Sequence, residues 1–310
     1  MKHAKLITTT SIVYVLILFV SCTKQDVNRP TAGNSISNSS AMATEMVLTP
    51  RGFMPKDRVH FVESNYSLNI VGNKIQKIEN TTGRVVQEFE ETPAHNTITN
   101  EALASGWITY AEWTNTANKP INYFSTTWKV PSRPGTNSGQ TLFLFNGMQD
   151  GFDFSAHILQ PVLQWGPSAA GGGPYWAITN WYVSSSNAFY GSLVRVSTGT
   201  ILQGIMQTTR RNGSKFNYNS SFKGYPVASS LQVNNARQLF WAAETLESYG
   251  VIKNSNYPPD TKIKMDNIQI LVGSTNAGLD WEAVNLMQTP QHTKIISNNS
   301  PGGEVDIFWH

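Results

Sequence analysis

Short runs in which aromatic and β-branched residues alternate with polar ones recur along this chain, for example at 123–130 (YFSTTWKV) and 176–183 (WAITNWYV). Clusters of Gly, Pro, Ser and Asn separate these runs, as at 131–139 and 171–174. A period of two with regular turn signals is typical of short strands that bury one face. The pattern predicts an all-β fold, an antiparallel β-sandwich or jelly roll. The stretch 236–249 is compatible with either a helix or a strand.

The composition supports a packed core. Hydrophobic residues make up 40% of the 310 residues and aromatic residues 11%, which excludes disordered and fibrous proteins. The formal net charge is only +3 and no long basic run occurs, so we expect no nucleic-acid partner.

The first 22 residues have the features of an export signal. Two lysines precede the apolar run 12–20, and nine residues are too few to cross a bilayer core of roughly 30 Å as a helix. The run therefore reads as the core of a signal peptide. It ends at Ser21-Cys22, which resembles the lipobox of bacterial lipoproteins, and Cys22 is the only cysteine.

A secreted protein rarely keeps one unpaired thiol, so we expect lipidation at Cys22. Its consequences would be secretion across the inner membrane and a lipid anchor in the cell membrane or outer membrane. The domain would then lie in the periplasm or on the cell surface, with the lipid as its only contact with the membrane. Ordinary secretory cleavage nearby is the alternative.

The rest of the chain divides into three parts by composition. Residues 23–57 are rich in Ser, Asn and Pro and predict a flexible tether. Residues 58–96 predict a small strand-rich segment, which either packs on the main domain or acts as a propeptide. Residues 97–310 predict the β-sandwich domain.

Several common chemistries lack their signatures. No two of the six His lie four residues apart, and one Cys cannot build a thiolate site, so we expect no metal and no cofactor. The Gly-x-Ser-x-Gly elbow of serine hydrolases is absent. His157 is a candidate general base, although a hydrogen-bonded structural role is the commoner case.

Carboxylates and amides are more informative. No Asp or Glu occurs between residues 154 and 243, and then Glu244 and Glu247 follow an apolar run. Burial would raise the pKa of such a carboxyl and suit it to acid–base work, whereas an exposed strand would leave both solvated. Gln160 and Gln164 stand among apolar neighbours, where a buried amide is either a structural bridge or a donor to an oxyanion.

These features occur within a series of short motifs, namely Trp128-Lys129-Val130-Pro131, Phe145-Asn146-Gly147, Leu163-Gln164-Trp165-Gly166, Asn180-Trp181-Tyr182 and Ala243-Glu244. In order and spacing, this series resembles the glutamic peptidases, or eqolisins. The resemblance implies a β-sandwich of the concanavalin A-like lectin/glucanase type and endopeptidase activity on a polypeptide substrate. It also implies Gln164 and Glu244 as a catalytic dyad, with the Glu as general base and the Gln stabilising the oxyanion, and Trp165, Trp176 and Trp181 as substrate-binding candidates.

Three departures from the family pattern leave alternatives open. The family's Gly-Asp turn is Gly199-Thr200 here, and Glu247 follows Glu244 by three residues where the family has four. Gln160, in Ile158-Leu159-Gln160, also matches the first half of the Leu-Gln motif. Glu244 and Glu247 therefore compete as the base, as do Gln164 and Gln160 as the amide.

Two other functions fit the same pattern. A non-catalytic lectin-like module would use the nine Trp to bind carbohydrate or peptide. A glycosidase would need a second carboxyl facing the first, from Asp150, Asp153 or Glu112.

Overall fold

The computed structural model describes residues 44–92, 105–117, 119–153, 155–226, 229–285 and 290–310. The predicted signal peptide and Cys22 lie outside these ranges. Within them, no helix is both long and apolar enough to span a bilayer.

Strands form nearly all of the regular structure in the described part of the chain. The helical elements there are single 3₁₀ turns at Lys56–Arg58 and Asn254–Asn256. In chain order the strands are β1 (Met46–Thr49), β2 (Gly52–Pro55), β3 (Val59–Phe61), β4 (Tyr66–Val71), β5 (Lys74–Glu79), β6 (Val85–Glu90), β7 (Gly106–Thr114), β8 (Ile121–Lys129), β9 (Thr141–Gln149), β10 (Ile158–Ser168) and β11 (Gly171–Val183).

They continue with β12 (Ala188–Tyr190), β13 (Val194–Arg195), β14 (Ile201–Asn212), β15 (Lys215–Phe222), β16 (Leu231–Ala236), β17 (Trp241–Tyr249), β18 (Lys262–Val272), β19 (Thr275–Asn276), β20 (Glu282–Asn285), β21 (His292–Ser297) and β22 (Gly303–Phe308). The ambiguous stretch 236–249 is thus largely strand β17.

Two large sheets contain these strands, apart from the small sheet formed by β1 and β2. In the described residues, the first sheet has the order β20-β7-β17-β9-β10-β11-β12-β3, with β13 paired to β11. The second has the order β21-β22-β18-β8-β14-β15-β16-β4-β5-β6, with β19 paired to β18. Neighbouring strands are antiparallel except at β3–β12 and β4–β16, which are parallel.

The main core lies between the two sheets. Leu144, Leu163 and Ile178 of the first sheet belong to the same buried cluster as Phe124 and Trp128 of the second. These residues occupy alternate positions of their strands, as expected when one face of each sheet is buried. The predicted all-β sandwich is confirmed.

The N-terminal segments are integrated into this sandwich. Strand β3 extends the first sheet beside β12, and β4 extends the second sheet beside β16. The predicted small segment 58–96 therefore packs on the main domain, in its described part, through strand pairing. The described end of the predicted tether, residues 44–57, is not a flexible coil, because Met46–Thr49 pairs with Gly52–Pro55 in a hairpin. We call residues 46–55 the N-terminal hairpin.

A second apolar cluster covers the face of the first sheet that is turned away from the second sheet, called the outer face below. Phe143, Phe145 and Val162 form part of this cluster, and Leu48 and Met54 of the N-terminal hairpin pack against it. The hairpin therefore covers part of the outer face.

Candidate functional site

The two glutamates of β17 point to opposite faces of the first sheet. Ala242 and Leu246 belong to the core between the sheets, and Glu244 shares their parity. Consistent with this, Thr126 of the second sheet donates a hydrogen bond from its hydroxyl to Glu244 Oε1. Glu247 has the opposite parity and points to the outer face, as does Tyr249.

Glu244 is fully buried inside the sandwich. Burial raises the pKa of Glu244 well above its usual value, against the smaller opposing effect of the Thr126 hydrogen bond. Its second oxygen, Oε2, has no hydrogen-bond partner among the described residues. Glu244 is thus a buried carboxyl packed between two sheets, out of reach of a polypeptide on the outer face.

Gln164 lies on the outer face, but its amide is committed to the local backbone. Nε2 donates to Gly166 O at 2.7 Å and to Gly171 O at 2.9 Å, and Ser168 Oγ donates to Oε1 at 2.9 Å. These bonds brace the turn between β10 and β11. The structure therefore corrects the predicted pairing of Gln164 with Glu244, because the two side chains lie on opposite faces and Gln164 acts as a structural bridge.

Glu247, the alternative base, occupies the same row of the sheet as Gln164. Phe143 of β9 pairs with both, so one strand separates them. The side chain of Glu247 is fully buried. Burial raises its pKa to about 8, opposed by a hydrogen bond from the Tyr249 hydroxyl to Oε1 and by the positive charge of Arg51.

Gln160, the alternative amide, lies deeper on the outer face. It pairs with Trp181 and is fully buried, and neither its Oε1 nor its Nε2 finds a hydrogen-bond partner within the described ranges. The hydroxyl of Thr245, which has the parity of Glu247, is also buried without a partner there. Buried polar groups are rarely left unpaired, so these atoms mark a place suited to water or a ligand.

The three tryptophans expected to bind substrate divide between the faces. Trp165 and Trp176 pack in the core between the sheets, their ring centroids 5.5 Å apart. That position corrects their expected role in a cleft. Trp181 alone faces outward, and its ring lies 5.0 Å from that of Tyr190, but it is fully buried.

Sequence reasoning missed a different aromatic group on the outer face, made of Trp107, Tyr110 and Trp241. The rings of Trp107 and Trp241 stack with centroids 5.9 Å apart, and Tyr110 packs edge-on against Trp107 at 5.0 Å. The signal was available in part, because Trp241, Thr245, Glu247 and Tyr249 all share one parity of a single strand.

Four contacts hold the N-terminal hairpin over the site. Ala169 N donates to Leu48 O at 2.8 Å, and the Phe53 ring lies 6.1 Å from the Tyr249 ring. Arg51 Nη1 donates to Ser184 O at 3.0 Å, and Nη2 donates to Ala156 O.

Between the hairpin and the sheet lies a cavity of about 650 Å³. Phe53 borders it on one side, and Ser168 and Tyr249 border it on the other. The cavity thus lies beside Tyr249, the residue that donates a hydrogen bond to Glu247.

The other candidate acids, Glu112 and Asp153, lie in different surroundings. Glu112 pairs with Glu282, and its pKa is raised by burial and by that neighbouring charge. Asp153 accepts hydrogen bonds from Ser155, which lower its pKa.

His157 lies in a polar cluster at the end of β10. The Tyr182 hydroxyl is 2.8 Å from its Nδ1, and Asp150 and Glu91 lie within 3.8 Å. Burial lowers the pKa of His157. These contacts favour the structural role for His157. Among the described residues, no group of three or more His, Cys, Asp or Glu is placed to hold a metal ion.

Comparison with known proteins gives only distant likenesses. No protein-family model and no curated protein matches the chain. Among solved structures, scytalido-glutamic peptidase with a peptide-based transition state analogue superposes with a TM-score of 0.45 at 14% identity, covering 66% of this chain and 98% of that one. The same peptidase with a transition state analogue inhibitor gives 0.43 at 16% identity, covering 67% and 100%.

The eqolisin SCP-B in complex with the tripeptide Ala-Ile-His gives a TM-score of 0.40 at 14% identity, covering 66% of this chain and 98% of that one.

Proposed function

We propose that this chain is a peptide hydrolase in which Glu247, and not Glu244, is the general base. One observation carries the proposal: a buried carboxyl of raised pKa lies on a sheet face that already holds a stretch of polypeptide. The Ala169–Leu48 backbone hydrogen bond supports the view that this face accepts extended polypeptide.

The chemistry follows from the groups around Glu247. With the hairpin in place, Glu247 is protonated below a pH of about 8 and cannot act as a base. Displacement of the hairpin would let water reach the carboxyl and lower its pKa, because the desolvation that raises it would be relieved. The ionised Glu247 would then take a proton from water, which attacks the scissile carbonyl carbon. The protonated Glu247 would pass that proton to the leaving amine.

The neighbouring polar groups have distinct roles in this proposal. Tyr249 holds the carboxyl through its hydroxyl. Thr245, two residues earlier on the same face, has a hydroxyl without a hydrogen-bond partner among the described residues, and this hydroxyl would donate to the tetrahedral oxyanion. Gln160, whose amide finds no hydrogen-bond partner in the described part of the chain, would donate to the backbone of the bound polypeptide. Gln164 keeps the β10–β11 turn in place.

The test is hydrolysis of an unfolded protein substrate by the full chain from about pH 3 to 9, a range that brackets a Glu with an ordinary or raised pKa. Phe53→Ala, which removes the hairpin's ring from Tyr249, should increase the rate by exposing the site. In that background, Glu247→Gln should lower kcat by about 10²- to 10⁴-fold, the usual contribution of a general base.

Glu244→Gln is the matched control, since it makes the same change on the same strand but on the other face. It should leave the rate of the Phe53→Ala protein within about twofold, because Glu244 lies between the sheets, out of reach of the substrate. Hydrolysis that survives Glu247→Gln, or that is absent from every folded variant, would reject the proposal.

A binding module is the second candidate, and the Trp107–Tyr110–Trp241 group favours it. Aromatic clusters on a sheet face suit stacking of sugars or apolar side chains. Saturable binding of a glycan or peptide by the Phe53→Ala protein, abolished by Trp107→Ala and without hydrolysis at any pH, would favour this reading.

A further inference from the structure

The guanidinium of Arg51 lies in a site that other parts of the chain build. Its two terminal nitrogens donate to Ala156 O and Ser184 O, which belong to the loops before β10 and after β11. Neither acceptor is part of the hairpin that carries Arg51. Arg51 therefore occupies this site as a separate ligand would, although the arginine and the site belong to the same chain.

The charges around this site are acidic and also come from outside the hairpin. Asp150 and Asp153 are carboxyl groups that act electrostatically on Arg51, and Glu247 does so when it is ionised. Asp150 is 4% exposed at its side chain, and its Oδ2 has no hydrogen-bond partner in the described structure. A buried carboxylate oxygen without a hydrogen bond favours a nearby cation.

Arg237 is a second cation near Asp150, but it compensates the charge of the Asp150 carboxylate only in part. Arg237 Nη1 lies 4.0 Å from Asp150 Oδ2, and the Arg237 side chain is largely exposed. A pair at that distance, with its arginine exposed to solvent, contributes little. His157 lies 3.7 Å from the same carboxylate, but burial lowers its pKa and favours its neutral form.

The acceptor arrangement selects guanidinium over ammonium. Two backbone carbonyls accept from two different nitrogens, Nη1 and Nη2, which a planar fork supplies at a fixed spacing. A lysine has a single nitrogen at the end of its chain and cannot make both contacts with the same geometry. The site therefore distinguishes arginine from lysine by shape as well as by charge.

We propose that the site formed by Ala156 O, Ser184 O, Asp150 and Asp153 is a subsite for an arginine side chain of a bound polypeptide, filled here by the chain's own Arg51. The proposal rests on the proposed function in naming that polypeptide a substrate, since the subsite lies on the same face as Glu247. The N-terminal hairpin is then a substrate-like occupant, and an arginine-containing polypeptide competes with it.

The test uses the full chain with Arg51→Ala, which empties the subsite. N-acetyl-arginine amide is titrated against it, with tryptophan fluorescence as the readout. N-acetyl-citrulline amide, which has nearly the same shape but no charge, and N-acetyl-lysine amide are titrated in parallel. We expect the arginine compound to bind at least about tenfold more tightly than either, a difference of about 1.4 kcal/mol.

The wild-type chain is the matched control, because its subsite is filled. It should bind the arginine compound at least about tenfold more weakly than the Arg51→Ala chain. Arg51→Gln, which keeps most of the side chain's length, repeats the measurement if Arg51→Ala does not fold. Equal affinity for the arginine and citrulline compounds, equal affinity of wild type and variant, or no binding to a folded variant would overturn the subsite.

The binding experiment tests the arginine subsite, and the hydrolysis experiment tests the peptidase activity. Arginine-selective binding by a chain that hydrolyses nothing would retain the subsite and reject the peptidase. Hydrolysis dependent on Glu247, without arginine-selective binding, would retain the peptidase and reject the subsite.

Discussion

At the scale of single residues, three positions of spacing decide what each glutamate of β17 can do. Side chains alternate along a strand, so an odd spacing puts Glu244 in the core and Glu247 on the outer face. Both carboxyls have raised pKa values because both are buried. Whether a carboxyl with a raised pKa indicates a functional site thus depends on which face of the sheet it occupies.

The raised pKa of Glu247 predicts a pH-dependent stability. The folded chain keeps a proton on Glu247 up to a pH of about 8, whereas the unfolded chain loses it near the ordinary value of 4.5. The contribution of Glu247 protonation to the free energy of unfolding is therefore fully present below pH 4.5 and is lost as the pH rises towards 8.

Glu247→Gln removes this proton equilibrium. The free energy of unfolding, measured in urea at pH 4, 6 and 8, should fall less with rising pH in Glu247→Gln than in the wild type. Parallel slopes for the two chains would contradict the burial of a titrating Glu247.

At the scale of elements, the β10–β11 hairpin needs glycine at a position where any side chain would clash with the neighbouring backbone. Gly172 has a φ of +107°, and a Cβ there would overlap Gly166 O and lie 2.5 Å from Gln164 Nε2. The same amide of Gln164 braces the turn, so crowding at Gly172 would break its hydrogen bonds.

We expect Gly172→Ala to lower the free energy of unfolding by about 3 kcal/mol or more, through both the clash and the backbone strain. Gly213→Ala is the control, because Gly213 also has a positive φ, +60°, but no neighbouring atom of the described structure lies within 4 Å of its added Cβ. That substitution should cost only about 1 kcal/mol. Similar losses in denaturant unfolding for the two variants would contradict the close approach at Gly172.

The sequence predicted individual strands better than it predicted the N-terminal hairpin or the partners of strand residues. Alternation in 123–130 and 176–183 predicted strands, and both stretches are strands or strand ends. The N-terminal hairpin escaped notice, because Pro50 and Gly52 interrupt its alternation and a Ser- and Asn-rich stretch precedes it. The dyad pairing failed for a different reason, since the partner of a strand residue depends on sheet order and register, which local pattern does not encode.

At the scale of the whole molecule, the sandwich is closed by segments that come from far apart in the sequence. Strand β3 lies at the edge of the first sheet, and β4 carries β5 and β6 at the edge of the second. The N-terminal hairpin adds a cover over the outer face. Truncation before residue 97 would therefore remove parts of both sheets as well as the cover.

The location of the whole molecule stays a proposal drawn from Ser21-Cys22. We expect the wild-type chain, expressed in a bacterium with lipoprotein processing, to incorporate labelled palmitate and sediment with membranes. Cys22→Ala should lose the label and appear in the soluble fraction, with Ser21→Ala as a control that keeps a small residue before the cysteine. Label retained in Cys22→Ala would contradict the acylation site.

The two parallel pairings also set the order in which the polypeptide can finish folding. Val59 of β3 meets a partner about 130 residues later, and Leu68 of β4 meets one about 165 residues later, so both contacts carry a large loop-closure cost. Strands β3 and β4 must therefore wait for partners that are synthesised much later. During that wait they present unpaired edges, and a chaperone that shields nascent chains would have its main task in residues 59–90.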